Sequence, residues 1–470
     1  MSSELARLSI TDASALIRER KVSPRELVEA VFVQVAKHEP RVNAFISLLE
    51  ERCVADARKA EQQIMRDGAS SKLHGIPVAL KDLYHTRGIR TTAGSKILEN
   101  FVPEHNGTVS QKLEDAGSIL IGKTNTHEFA YGPTSEDSHF GPTRNPWDAS
   151  RIAGGSSGGS GASVASHMAY MAMGSDTGGS VRIPACLCGV VGFKPTYGLV
   201  SLYGVVPLSH SYDHAGPLTK SVRDAAIVMD VIAGHDRNDP HSSEVQVTHF
   251  EKALETAALS GVRVGVPINF FFDKTEPEIE SHVRRAVRLI EDAGACVSEV
   301  TLPQIDDVFE VTTVIMGFEA ARLHETNLRE RAHEFQPAVR QRLEDSLRIT
   351  EEQYQNALRM QQHIRHMMDE LFCCVDILLT PCMPVEAYPI GTTTLQIKGK
   401  SEPARQMLLR HTRLANLTGG PAISLPCALT KQNLPCGVQL LGKPFDDISV
   451  LRAAHTMEKL LGFKLEVPEE

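Results

Sequence analysis

The chain lacks a surplus of basic residues: 49 lysines and arginines stand against 58 aspartates and glutamates, a formal net charge of −9 over 470 residues. A protein that grips nucleic acid directly carries a basic footprint, so neither DNA nor RNA is an expected partner. No apolar run reaches the ~18 residues of a membrane span, and Met1 to Glu4 begin no basic-then-apolar leader. The nine cysteines include no CxxC pair, so a disulfide framework and a zinc site are not expected. Cys373, Cys374 and Cys427 stand in apolar contexts and read as buried thiols. These absences point to a cytoplasmic protein that needs no membrane, metal or cofactor.

What is present is a globular composition, 42% apolar and 23% charged, in a chain long enough for one large α/β domain or two to three ordinary ones. Ser23-Pro24-Arg25-Glu26 spells a capping box with proline at the first helical position, opening a helix that fades near Pro40. A second helix is expected over 50–66, and Val78-Ala79-Leu80 reads as a short buried strand ending at Lys81-Asp82. Strands are expected over 118–121, 188–193, 262–266, 296–302 and 375–379, with helices over 109–116, 221–233 and from about Thr275, where Ile279, Val283, Val287 and Ile290 share one face. Residues 306–372 read as wholly helical, and 414–425 and 437–441 as closing segments. This alternation predicts an α/β fold: a single large α/β/α domain over 1–470, with a mixed central β-sheet covered by helices on both faces. No repeat or long linker divides it.

Two spellings mislead. Gly117 to Thr124 fits GxxxxGK[ST], but a P-loop has its strand before the first glycine, and here the inner residues Ser118-Ile119-Leu120-Ile121 are themselves strand-like. The histidine pairs His210/His214 and His363/His366 have metal-like spacing without a third ligand in view.

The chemistry concentrates over 151–184, where two glycine-serine clusters, 154–160 and 178–180, flank an Ala/Met-rich segment. Glycine lets a reacting group approach free main-chain N–H donors, the setting a serine nucleophile needs. Ser156 and Ser157 both fit GxSxG, with His210 or His214 as the base, yet such an elbow follows a strand, whereas Asn145-Pro146-Trp147-Asp148 is loop-like. The Ser-x-x-Lys chemistry of penicillin-binding proteins is excluded, because no serine stands three residues before a lysine. A serine paired with a lysine from elsewhere remains: Lys81 directly follows a buried apolar strand, an odd place for a solubilising charge, and Ser180 closes Asp176-Thr177-Gly178-Gly179-Ser180.

Lys81 in Gly75-Ile76-Pro77-Val78-Ala79-Leu80-Lys81-Asp82, Ser156 in Gly154-Gly155-Ser156-Ser157-Gly158-Gly159, and Ser180, twenty-four residues after Ser156, together resemble the amidase signature family. Thr91-Thr92-Ala93-Gly94-Ser95, Lys123-Thr124-Asn125, Asn145-Pro146-Trp147, Gly192-Phe193-Lys194-Pro195-Thr196 and Leu434-Pro435-Cys436-Gly437-Val438-Gln439 extend the resemblance over nearly the whole chain. It implies a signature core at about 70–220, with the segment of about 306–372 as a helical insert. By the resemblance, Ser180 is the acyl-forming nucleophile, Ser156 a bridging serine on a cis peptide and Lys81 the base. Main-chain N–H groups around Thr177, Gly178 and Gly179 hold the oxyanion. Ser157, Asp176 and Arg182 look like residues that fix the loop; Tyr131, which directly follows the 125–130 segment, is expected beside the substrate on its position alone. No metal or cofactor is implied.

The leading expectation is a stand-alone amidohydrolase cleaving a small linear amide, with esters or carbamates as further substrates. It would be a small-molecule enzyme with homodimerisation its only assembly. The alternative is the A subunit of the glutamine-dependent aminoacyl-tRNA amidotransferase, which hydrolyses glutamine and passes ammonia to obligate partner subunits. That role requires a charged clamp for glutamine, for which Arg413, Asp446 and Asp447 are candidates.

Overall fold

In the computed structural model the structure describes residues 2–246 and 249–468. Met1, Val247, Thr248, Glu469 and Glu470, which the expected 1–470 unit includes, lie outside the described residues. Thirteen strands are present among them: β1 (Phe45–Leu48), β2 (Pro77–Lys81), β3 (Ile119–Thr124), β4 (Met171–Ser175), β5 (Val191–Lys194), β6 (Ala215–Thr219), β7 (Arg263–Pro267), β8 (Cys296–Val300), β9 (Ile377–Pro381), β10 (Thr394–Ile397), β11 (Lys400–Pro403), β12 (Ala422–Leu429) and β13 (Pro435–Gly442). Eleven form one sheet in the order β1-β3-β2-β4-β6-β5-β12-β13-β9-β7-β8, and β10-β11 make a separate hairpin. β2 runs parallel to both β3 and β4, and β7 to both β8 and β9, while the remaining pairings are antiparallel. The sheet is therefore mixed, as expected, and helices pack around it.

Local chemistry explains the elements that carry the site. Helix Pro24–Val42 starts on the expected capping box, with Ser23 Oγ accepting from Glu26 N and the Glu26 carboxylate accepting from Ser23 N. It runs two residues past Pro40 and stops at Asn43, whose left-handed backbone (φ 53°) caps it. β2 is buried along its whole length between two parallel neighbours, which is why it is an unbroken apolar run rather than an alternating one. The carboxyl ends of β2 and β4 lie side by side. In open α/β sheets ligands bind beyond the carboxyl ends of parallel strands, and Lys81 and Ser175 are the last residues of these two.

Several expectations shift. The strand expected over 188–193 is present but begins later, as β5 (Val191–Lys194), because a helix, Arg182–Cys188, closed by left-handed Gly189 (φ 74°), runs up to it. The apolar run looked continuous because helix and strand are both fully buried. β4 and β6 went unforeseen, the first hidden in the Ala/Met-rich segment. The region 306–372 holds three helices, Val308–Arg331, Pro337–Ser346 and Glu351–Cys374. Cys427 is buried, but Cys373 and Cys374 are exposed at the last turn of the third helix. No helix among the described residues is long and apolar enough to cross a membrane.

Candidate active site

Lys81 enters the interior from the end of β2 and is fully buried. Its Nζ donates to three hydroxyl oxygens: Ser156 at 2.7 Å, Ser175 at 2.8 Å and Ser157 at 2.9 Å. An ammonium has three donors, and all three are met without a hydrogen-bonded carboxylate. Burial drives the Lys81 pKa down to about 7, against the upward pull of the Asp213 and Asp176 charges. Low pKa alone does not single this lysine out. Burial also brings Lys194 and Lys220 to about 7 and lowers Lys123. Those three bond elsewhere: Lys194 to the Pro195 carbonyl, Lys220 to the Ala6 and Leu8 carbonyls, Lys123 to the Tyr84 carbonyl and Thr91 hydroxyl beside Asp82. Of the four, only Lys81 is set among serines.

The two glycine-serine clusters converge on it. The Gly155–Ser156 peptide is cis, and the Ser156 carbonyl accepts from His127 N (3.1 Å), Thr126 Oγ1 (3.0 Å) and Ser135 Oγ (3.0 Å). Helix Gly158–Ala165 then begins, its Gly159 pressed so close to Asn125 that a Cβ would lie 2.5 Å from the Asn125 nitrogen. Ser157 Oγ donates to the Ser175 carbonyl and accepts from Ser175 N, tying the first cluster to β4. Ser157 N in turn donates to the Ser180 carbonyl at 3.3 Å, which joins the clusters. No hydrogen bond links the Ser156 and Ser180 hydroxyls in this structure. Ser180 is 5% exposed and faces a cavity, whereas Lys81 and Ser156 lie wholly behind it.

The loop 176–181 is fixed from below by Asp176 and Arg182. Arg182 Nε donates to Asp176 Oδ2 (3.0 Å) and Nη2 to Oδ1 (2.9 Å), and its remaining donors reach the Thr412 carbonyl, Gln439 and Asn416. Burial pushes the Asp176 pKa up, but the charge and hydrogen bonds of Arg182 outweigh it and hold the carboxyl below the ordinary range. Asp176 also accepts from the N–H groups of Gly179 (2.8 Å) and Val181 (3.2 Å). Gly179 N–H is therefore occupied and serves the loop. The N–H groups of Thr177, Gly178 and Ser180 donate to no acceptor among the described residues. They are the free donors beside the Ser180 hydroxyl. Thr177 Oγ1 is held by Asp213 (2.6 Å).

The narrow cavity at Ser180 is lined by Thr177, Gly178, Tyr131, Met316, Arg405 and Arg413 among others. Tyr131 is thus at the site, its hydroxyl 3.4 Å from Ser346 Oγ and its ring under the Arg342 guanidinium. Of the three charges proposed for a glutamine clamp, Arg413 lines the cavity, but the acids do not. Asp447 is buried against Thr196 and Asp446 precedes the last helix. No histidine ring bonds the hydroxyl of Ser156, Ser157 or Ser180 among the described residues. His210 pairs with Glu319 (3.2 Å), and His214 Nδ1 meets the Tyr212 carbonyl. Ser175 escaped the sequence reading, although its place directly before Asp176 at a strand end was a usable signal. Arg405 was also missed. A larger hollow of about 340 Å³, between helix Glu50–Asp67 and strands β2 and β3, is lined by none of these residues.

A buried lysine bonded only to serine hydroxyls, a cavity-facing serine with free amides beside it, and a mixed eleven-stranded sheet are together the setting of an amidohydrolase. The chain belongs to the amidase family, whose model, Amidase, matches residues 26–451. It is 38% identical to the A subunit of the glutamyl-tRNA(Gln) amidotransferase of Carboxydothermus hydrogenoformans, over 99% of this chain and all of that one. Its fold matches the crystal structure of the corresponding A subunit from Thermotoga maritima (38% identity, TM-score 0.81, 97% and 95% of the two chains). It also matches a protein from "an unexpected vestigial protein complex" that "reveals the evolutionary origins of an s-triazine catabolic enzyme" (34% identity, TM-score 0.92, 96% and 98%).

These relatives correct one expectation. A small-molecule enzyme without nucleic acid or obligate partner does not fit a chain matched end to end by subunits of an enzyme named for a tRNA. The net charge of −9 misled because it describes this chain alone, and one chain can work in an assembly whose nucleic-acid contacts lie on another.

Proposed function

We propose that the chain hydrolyses the side-chain amide of L-glutamine through an acyl-enzyme on Ser180 and supplies the ammonia to a partner that holds aminoacyl-tRNA. The observation that carries the chemistry is Lys81 Nζ, buried and bonded to hydroxyls alone. A neutral amine has two N–H donors and one lone pair, so one of its three serine neighbours donates to it. With Ser156 in that role, Lys81 takes the Ser156 proton as Ser156 takes that of Ser180, and Ser180 Oγ attacks the amide carbon. The oxyanion is received by the free N–H groups of Thr177, Gly178 and Ser180, with Gly179 held back by Asp176. The C–N bond breaks as the relay returns the proton to the leaving nitrogen, releasing ammonia, and water then frees glutamate from Ser180. Ser157, Asp176 and Arg182 keep the loop in place. The glutamine assignment draws on the full-length similarity to amidotransferase A subunits. We read 1–470 as one unit with its signature over about 70–220 and with the 306–372 helices walling the cavity, working in the cytoplasm.

The test is ammonia release from L-glutamine by the chain alone and with the partner subunits of its own organism charged with glutamyl-tRNA. Release that rises with the partners and vanishes in Ser180→Ala supports the reading. Steady turnover of other amides with glutamine untouched under both conditions refutes it.

A further inference from the structure

The cavity wall opposite Ser180 is cationic without compensation. Arg413 is 2% exposed, with its guanidinium 4.2 Å over the Phe309 ring. Its Nη1 donates to the Phe309 carbonyl, Thr312 Oγ1 and Thr313 Oγ1, all neutral, and its Nε has no partner. Arg405, from helix Ala404–Arg410, lines the same cavity, and its Nε is also unpartnered. Neither arginine forms an ion pair among the described residues, and no aspartate or glutamate lines the cavity. The two charges oppose each other. Burial, and then the Arg405 charge, bring the Arg413 pKa down to about 9. A buried charge left without a counter-ion is costly, and a guanidinium fork matches a carboxylate better than any other common group.

We propose that Arg405 and Arg413 form an anion subsite that binds a carboxylate on the acyl part of the substrate, so that the enzyme selects amides whose acyl chain ends in a carboxylate. This rests on the reading that Ser180 opens an amide, and not on that amide being glutamine. It adds a discriminating consequence. An ammonium next to the carboxylate finds no acid on the cavity wall, so removing it from glutamine improves binding.

The experiment measures binding to Ser180→Ala by isothermal titration calorimetry, so that turnover plays no part. The ligands are malonamate, succinamate and glutaramate, their neutral counterparts propionamide, butyramide and pentanamide, and L-glutamine. We expect at least one ω-carboxy amide to bind ten-fold or more tighter than its neutral counterpart, and glutaramate to bind no worse than glutamine. That preference should collapse in Arg405→Gln and shrink in Arg413→Lys, which keeps the buried charge in case removing it prevents folding. Equal binding of charged and neutral amides, no binding of any, or a preference that survives Arg405→Gln overturns the subsite. Glutaramate outbinding glutamine while the enzyme releases no ammonia from glutamine upholds the subsite and removes glutamine as the substrate, so the two proposals fail separately.

Discussion

Arg182 holds both carboxylate oxygens of Asp176, at 3.0 and 2.9 Å, with both side chains fully buried. Asp176 uses the same two oxygens to hold Gly179 and Val181 N–H on either side of Ser180. The pair therefore ties the backbone around Ser180 to Asn416, Gln439 and Thr412 from distant parts of the chain. Replacing Arg182 by Met leaves Asp176 buried and unpaired, a change that costs about 3–5 kcal/mol. Urea unfolding of Arg182→Met should show that loss, and stability within about 1 kcal/mol of the parent would show the pair to be dispensable.

Gly179 has φ +128°, and a Cβ there would lie 2.2 Å from Thr412 Oγ1. Gly179→Ala must shift the loop that presents the free amides. Displacing one oxyanion donor costs roughly 10²-fold or more, so kcat/KM should fall by about that factor while circular dichroism stays unchanged. Full activity in this variant would place the oxyanion elsewhere.

Protonation of Lys81 sets a pH window. Its pKa is about 7 folded, against an ordinary value of 10.5, so activity that needs the neutral amine rises through pH 7 to a plateau. The unfolded chain keeps this lysine protonated between pH 7 and 10.5 where the folded one does not, so Lys81 makes stability increase with pH across that window. In Ser175→Ala the ammonium loses an acceptor, and hydrogen bonds to a charged form favour it. The midpoint of the rising limb should move to lower pH. A shift to higher pH would mean Ser175 donates to the amine instead of accepting from it.

Much of this arrangement was legible in the chain. Lys81, Ser156 and Ser180 carry motifs with fixed internal spacing, and the capping box at Ser23 announces its helix. The strand over 118–121 also predicted that the Gly117 to Thr124 spelling is no phosphate loop, and β3 covers Ile119 to Thr124. What escaped depends on long-range packing. Ser175 ends a strand whose Met-Ala-Met-Gly-Ser run has no alternation to reveal it. Arg405 gains its meaning only when helix Ala404–Arg410 is set against the 178–180 loop. Asp446 and Asp447 carried a plausible charge at a distance no sequence reading could judge, and Asp447 spends it on Thr196.

If Lys81 is the base for Ser180, acylation of Ser180 depends on the neutral amine. The direct measurement is the rate of Ser180 acylation by an active-site ester or fluorophosphonate probe, followed by intact mass, in the parent, Lys81→Ala and Ser180→Ala across neutral and alkaline pH. Labelling should rise through about pH 7 in the parent and be absent in Ser180→Ala. In Lys81→Ala it should be slower by roughly 10²–10⁴-fold, with the rise near neutral pH gone. Parent-like labelling of Lys81→Ala with the same pH rise would contradict this role for Lys81.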